Sequence, residues 1–327
     1  MIGIGKIKPE KIRKEKTDWN QFLCGTPAKD YIFQNTPYEE QIKNAAELIR
    51  EADFILIGAG AGASSAAGLM YSGKRFTDNF AEFIDKYGAA NMRDMYSAGF
   101  YPFPTEEAKW GYWSKHSMIN RILPPALPLY RQLYELVKDK DYFVITTNVD
   151  HQFYKAGFAS DRIFATQGDY GLIQCEKGCH QKTYDAQEMF RQMDTERKDC
   201  LVPSYLVPKC PVCGGNMAMN LRCDGYFVED ESWHSAAESY GEFLQNMKGK
   251  KGVLLELGVG FNTPVIIRFP FEKMARGNKD LSLIRLNLNE AVVPAGLNER
   301  AVGINCDMAE AVSDLCDITR SEEGKSL

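Results

Sequence analysis

The chain has 327 residues, with 39 Lys and Arg against 44 Asp and Glu, so its formal net charge is −5. Hydrophobic residues at 44% and charged residues at 25% exclude a disordered chain, a collagen and a small disulfide scaffold. The mild acidity argues against nucleic-acid binding by bulk charge. At about 150 residues per domain, the length predicts two domains or one large domain with an insertion. The opening segment MIGIGKIKPEKIRKEK carries no apolar stretch or cleavage site and reads as no signal peptide, which predicts a cytoplasmic protein. There, thiols stay reduced, so the nine cysteines are expected to be metal ligands, catalytic thiols or core residues rather than disulfides.

Residues 1–35 form an N-terminal extension without a clear pattern. Thr36 and Glu39 have capping-box spacing, with Pro37 at the first helical position, and Ile42, Ala46 and Ile49 fall on one face of the helix that follows. Phe54–Ile57 reads as a buried strand, a glycine-rich turn follows, and Ala63–Leu69 favours a helix, the opening unit of a nucleotide-binding sheet. The stretch 54–73 lacks charge but holds five glycines and three serines, which argues against a membrane span. Residues 74–125, rich in Phe, Tyr and Trp, predict a helical insertion over the sheet. Leu129, Leu133, Leu136 and Val137 mark another helix. Buried strands are predicted at Tyr142–Thr147, Arg162–Thr166, Val253–Gly258, Leu281–Leu286 and 301–305, with a closing helix over 307–316. Residues 171–225 hold six of the nine cysteines and read as a small separate module. The fold class is therefore α/β: a Rossmann-type, doubly wound parallel sheet with a small zinc-binding module and a helical insertion.

Two motifs carry chemistry. In Ile57-Gly58-Ala59-Gly60-Ala61-Gly62-Ala63-Ser64, strand, glycines and helix come in the order that lets a backbone turn approach a pyrophosphate beneath a helix N-terminus. The spacing is not G-x-G-x-x-G and there is no P-loop Lys, so a tight turn without ligand is the competing reading. Cys175-x-x-x-Cys179 and Cys210-x-x-Cys213 supply two thiolate pairs, enough for one tetrahedral Zn²⁺ with no open position, hence structural. The module has few large apolar residues, so the metal is expected to replace a core. The long first spacing leaves His180, Cys200 and Cys223 as alternative ligands. Cys24, Cys306 and Cys316 are expected in the core.

Together, Gly60-Ala61-Gly62-Ala63-Ser64, Thr147-Asn148-Val149-Asp150, the cysteine pairs, Gly258-Val259-Gly260, Asn287 and Asp307 resemble the motifs of sirtuins, in order, from about residue 40 to 318. Where sirtuin deacylases carry P-D-F-R, this chain has Met70-Tyr71-Ser72-Gly73. Where they carry H-G before the first cysteines, it has Gln167-Gly168. In both respects, and in Arg222 after the second cysteine pair, it resembles the macrodomain-linked, class M sirtuins. The resemblance implies an NAD-dependent protein mono-ADP-ribosyltransferase acting on a lipoyl-carrier protein similar to the glycine-cleavage H protein. A macrodomain hydrolase acting on the product is implied as a further partner.

The same resemblance implies catalytic roles for Asn148, Asp150, Gln167 and Arg222. It implies cofactor contacts for Gly60, Ala61, Gly62, Ser64, Thr147, Asn148, Asp150, Gly258, Val259, Gly260, Asn262, Asn287 and Asp307. The domain plan becomes a discontinuous NAD-binding domain over 36–170 and 226–318, interrupted by the module at 171–225 and followed by a tail at 319–327. The chemistry is consistent with the departures. A His near its ordinary pKa of about 6.5 serves as a general base, whereas the Gln167 amide cannot. Loss of a base costs deacylation about 10²–10⁴-fold, but cleavage of the nicotinamide–ribose bond rests on positioning and charge stabilisation. Rival readings are a deacylase using His151 or water as base, a non-catalytic NAD or ADP-ribose sensor, and a zinc-ribbon nucleic-acid binder. His116 and His234 are expected to be structural or exposed.

Overall fold

The computed structural model describes residues 28–323. Cys24, most of the N-terminal extension and the end of the tail lie outside the described residues.

Six parallel strands form the main sheet: β1 (Phe54–Ala59), β2 (Asp141–Thr146), β3 (Ile163–Ala165), β4 (Gly252–Leu257), β5 (Leu281–Leu286) and β6 (Ala301–Ile304). Their spatial order is β6-β5-β4-β1-β2-β3. All six residues of β1, β4 and β5 are buried, as a sheet covered on both faces requires. One face packs against the helices Tyr38–Glu51, Pro128–Val137 and Met308–Glu323, with Ile42, Ile49, Leu129, Leu133 and Leu315 in the interface. The other receives Glu231–Asn246 and Arg268–Gly277 through Phe243, Ile267 and Phe271. Each expected strand is present, with ends that differ by at most two residues. The first helix begins at Tyr38, with Pro37 as the residue before it rather than within it.

Strand order reverses between β1 and β4. At such a switch point the two following loops run in opposite directions and open a crevice at the carboxyl ends. Here the loops interlock: a Cβ on Gly62 would lie 2.7 Å from the Gly258 Cα, and one on Gly60 would lie 2.9 Å from the Gly258 carbonyl oxygen. Gly258 itself has φ of 59°. The glycines thus let two backbones touch, whatever else they bind.

The second unit departs from expectation. Residues 74–125 fold into the helices Lys74–Tyr87, Met95–Gly99 and Glu106–Ser117, the last running into a π-helical turn at Met118–Ile122. These helices do not cap the main sheet. Phe76, Phe80, Phe83, Trp110 and Tyr112 share one hydrophobic cluster with Ile173, Phe190, Met193, Met217 and Met219 of the cysteine module. The module's own sheet has three antiparallel strands, with Gly168–Cys175 between Thr183–Asp185 and Met217–Leu221. The module therefore does have a core, contrary to expectation, because the aromatic insertion supplies it. Sequence distance hid this pairing.

Candidate active site

A cavity of about 460 Å³ opens between the two units. The main sheet contributes Ala61, Ser64, Thr147 and Asn148, the insertion contributes Tyr96 and Phe100, and the module side contributes Gln167, Tyr170, Leu221 and Arg222. Asn148, Gln167 and Arg222 thus share one cavity, although 74 residues separate the outer two in sequence.

Asn148 follows β2 and is buried. Its Nδ2 donates to the Gly60 carbonyl at 2.9 Å and reaches the Tyr130 hydroxyl at 3.5 Å, while its backbone N–H donates to Thr146 Oγ1 at 3.0 Å. Asp150 does not line the cavity but lies buried beneath it, accepting from Ser64 Oγ and from the Gln152 N–H at 3.1 Å. Burial raises the Asp150 pKa, opposed by those two hydrogen bonds. Ser64 Oγ also lies 3.2 Å from the Tyr130 hydroxyl.

Gln167 lies in the segment joining β3 to the module, and its side chain donates to Thr166 Oγ1 at 3.2 Å. Arg222, at the end of a module strand, is anchored three ways. It pairs with Glu229, donates through Nε to the Thr166 carbonyl at 3.3 Å, and stacks over Phe227 at 4.3 Å and Trp233 at 5.4 Å. Its backbone N–H donates to the Gln167 carbonyl at 3.1 Å, which ties the two segments together.

The other expected cofactor residues take structural positions around the switch point. The Asn287 Nδ2 donates to the Val259 carbonyl at 3.0 Å and fixes the loop after β4. Asp307 is exposed and caps the closing helix through the Ala309 N–H at 2.8 Å. Asn262 is exposed, with its neighbour Thr263 on the cavity wall. Gly260 lies beside Glu290, whose carboxylate accepts the Phe261 N–H at 2.8 Å.

Several residues that shape the site had no such role assigned from sequence. Tyr71 and Tyr170 form its aromatic floor, and burial pushes both phenols above their ordinary range. Buried Arg268 donates to the Val259 carbonyl at 3.0 Å and stacks over Phe261 at 3.8 Å, holding the same loop from below. Cys223, weighed above as a zinc ligand, lines the cavity.

His151 does not reach the cavity. It adopts a left-handed backbone with φ of 65°, and its Nδ1 lies 2.6 Å from the Asp169 carboxylate on the far side of the Asn148–Asp150 segment. Burial pushes Asp169 up, but the His151 hydrogen bond and the His151 and Arg121 charges outweigh it and leave the carboxyl below its usual range. His116 is fully buried among Tyr71, Trp113 and Tyr170, where desolvation brings it down to about 3.

The four Sγ atoms of Cys175, Cys179, Cys210 and Cys213 lie within 4.8 Å of one another, with Cys175–Cys213 at 3.8 Å and Cys179–Cys210 at 3.6 Å. A tetrahedral Zn²⁺ with Zn–S of about 2.3 Å needs S–S edges of about 3.8 Å, so the set fits zinc. Backbone N–H groups of Cys213 and Val212 help bring the Cys210 thiol down to about 6, whereas burial and the neighbouring thiols push that of Cys179 up. Cys200 is instead buried in the aromatic cluster, and His180 stands beside the set with Nδ1 3.1 Å from Cys179 Sγ.

No protein-family profile matches the chain. It is 34% identical over 279 residues to a protein ADP-ribosyltransferase of Staphylococcus aureus strain Mu50, covering 84% of this chain and 88% of that one. It is 31% identical over 273 residues to a probable bifunctional ADP-ribose hydrolase/ADP-ribosyltransferase of Fusarium oxysporum f. sp. cubense, spanning 80% of this chain and 45% of that longer protein. Among solved structures, a Sir2 homologue in complex with NAD superposes with a TM-score of 0.56 at 15% identity, over 90% of this chain and 99% of that one. A variant Sir2 homologue with ADP-ribose gives 0.54 at 15% identity, over 86% and 98%. At such identities the likeness carries the fold alone.

Proposed function

Since the chain belongs to the protein ADP-ribosyltransferases built on the sirtuin fold, we propose how its cleft carries out NAD-dependent transfer of ADP-ribose to protein. NAD supplies the ADP-ribosyl group and nicotinamide is the leaving group. The glycine turn after β1, the loop after β4 and Asn287 hold the dinucleotide at the switch point, with Asp307 at its edge. Asn148 positions the ribose attached to nicotinamide, and Asp150 keeps the segment and Ser64 in place from beneath. Gln167 hydrogen-bonds ribose hydroxyls and leaves no base to activate them against an acyl group. Arg222 receives an anionic acceptor side chain, which then attacks the electron-poor C1′. One structural Zn²⁺ on Cys175, Cys179, Cys210 and Cys213 stabilises the module that carries Arg222.

The observation that carries this reading is the shared cavity. A neutral amide (Gln167) and a braced cation (Arg222) face Asn148 across it, and the nearby His151 is turned away toward Asp169. That arrangement disfavours the deacylase reading.

The acceptor protein is a lipoylated carrier, and the enzyme works in the cytoplasm. A macrodomain hydrolase that removes the mark is a fitting partner, since the Fusarium relative's name joins both activities. Among the described residues, no helix is long and apolar enough to cross a membrane. The test offers labelled NAD with lipoylated and unlipoylated carrier protein. Label on the lipoylated carrier alone supports reaction and substrate. Equal labelling removes the lipoyl assignment, and saturable NAD binding without nicotinamide release would favour a sensor.

A further inference from the structure

Tyr130 lies on the helix Pro128–Val137, between two core leucines, and is fully buried. An apolar packing role would be served as well by Phe. Instead its hydroxyl sits between Ser64 Oγ at 3.2 Å and Asn148 Nδ2 at 3.5 Å. Donor and acceptor assignments follow from chemistry. The Gly60 carbonyl can only accept, so the Asn148 amide must turn its NH₂ inward, toward Gly60 and Tyr130. The Asp150 carboxylate, already accepting from the Gln152 N–H, takes the single Ser64 hydroxyl hydrogen. Ser64 Oγ then has only lone pairs left for Tyr130, which therefore donates to Ser64. Its own lone pairs are left to accept from Asn148.

We propose that Tyr130 is a positioning residue for ADP-ribosyl transfer: it relays the hydrogen-bond polarity of buried Asp150, through Ser64, to Asn148. The result is an Asn148 side chain locked with both amide hydrogens facing inward. Its Oδ1 is thereby presented to the cavity, where it accepts a ribose hydroxyl and faces the carbon that becomes electron-poor as nicotinamide leaves. A flipped amide would present hydrogens there and oppose that charge. The inference rests on the assignment of Asn148 to the ribose.

The test compares wild-type enzyme with Tyr130→Phe in single-turnover nicotinamide release and in NAD affinity by calorimetry. Phe keeps the ring contact with Phe153, whose centroid lies 4.9 Å away, so the fold should persist. The rate is expected to fall roughly tenfold while NAD affinity changes less than about twofold, the pattern of an interaction made mainly in the transition state. A Ser64→Ala, Tyr130→Phe double variant should be little worse than the poorer single variant, since both break one chain. An unchanged rate, a rate loss matched by equal loss of NAD affinity, or fully additive losses would overturn the relay. Wild-type enzyme that binds NAD but never releases nicotinamide would overturn the reading of the site, and the relay with it.

Discussion

The two walls of the cleft are built on different principles. The sheet wall is fixed by backbone: parallel strands, and two glycine turns that touch where any side chain would intrude. Its polar groups (Asn148, Ser64 and Asp150) are buried, with Ser64 bonded to Asp150 and both Ser64 and Asn148 within reach of the Tyr130 hydroxyl. The opposite wall is fixed by side chains, an aromatic cluster shared by two segments distant in sequence, next to a four-thiol set. Its polar groups, Gln167 and Arg222, sit on linking segments at the surface of that cluster. The first wall suits a co-substrate that must be held the same way each time. The second wall can vary its side chains, and so its acceptor, without disturbing the first.

Three perturbations bear on this contrast, taken from the largest effect down. Chelation of the zinc removes on the order of 10 kcal/mol of binding free energy from the module. Because insertion and module share one core, Trp110 and Trp113 should lose their near-ultraviolet circular dichroism together with the metal. Persistence of those signals in zinc-free protein would show that the two walls do not divide as described. Gly62→Ala strikes the other wall. Its Cβ would press on Gly258 backbone, so transfer should fall by about 100-fold or more while zinc content stays at one per chain. Near-normal NAD turnover would contradict the interlock. The smallest effect concerns pH. His116 is held neutral by burial, down to about 3, below its unfolded value near 6.5. A depressed value gives stability that is complete above about pH 6.5 and is lost as pH falls toward 3. His116→Phe should therefore move the acid-unfolding midpoint of the aromatic half to lower pH, with little change at pH 7.5. An unmoved midpoint would place the acid-sensitive groups elsewhere.

The sheet wall was the more legible in sequence. Its strands are short, uninterrupted apolar runs, and the glycine turn follows the first of them, so Phe54–Ala59 and Gly58–Gly62 declare themselves. The cysteine pairs were equally plain, since ligand spacing is local. What the sequence concealed was tertiary. Nothing local says that Trp110 will lie 6.1 Å from Phe190, or that the insertion will supply the module's core. Tyr130 was hidden among leucines, and only its hydroxyl partners distinguish it from a packing residue. Asn287 and Asp307 stand out in sequence only through resemblance, and nothing local announces that they also tether a loop and cap a helix. Arg222 was legible only through resemblance, because a lone arginine in a loop has no pattern until Phe227, Trp233 and Glu229 close around it.

In the proposed mechanism this cleft transfers ADP-ribose to a protein side chain rather than to an acyl group. The most direct measurement supplies labelled NAD together with both an acyl-lysine peptide and lipoylated carrier protein, and separates the products. Label on the carrier and nicotinamide release are expected, with Asn148→Ala abolishing both. Substantial O-acyl-ADP-ribose with no labelled protein would contradict it.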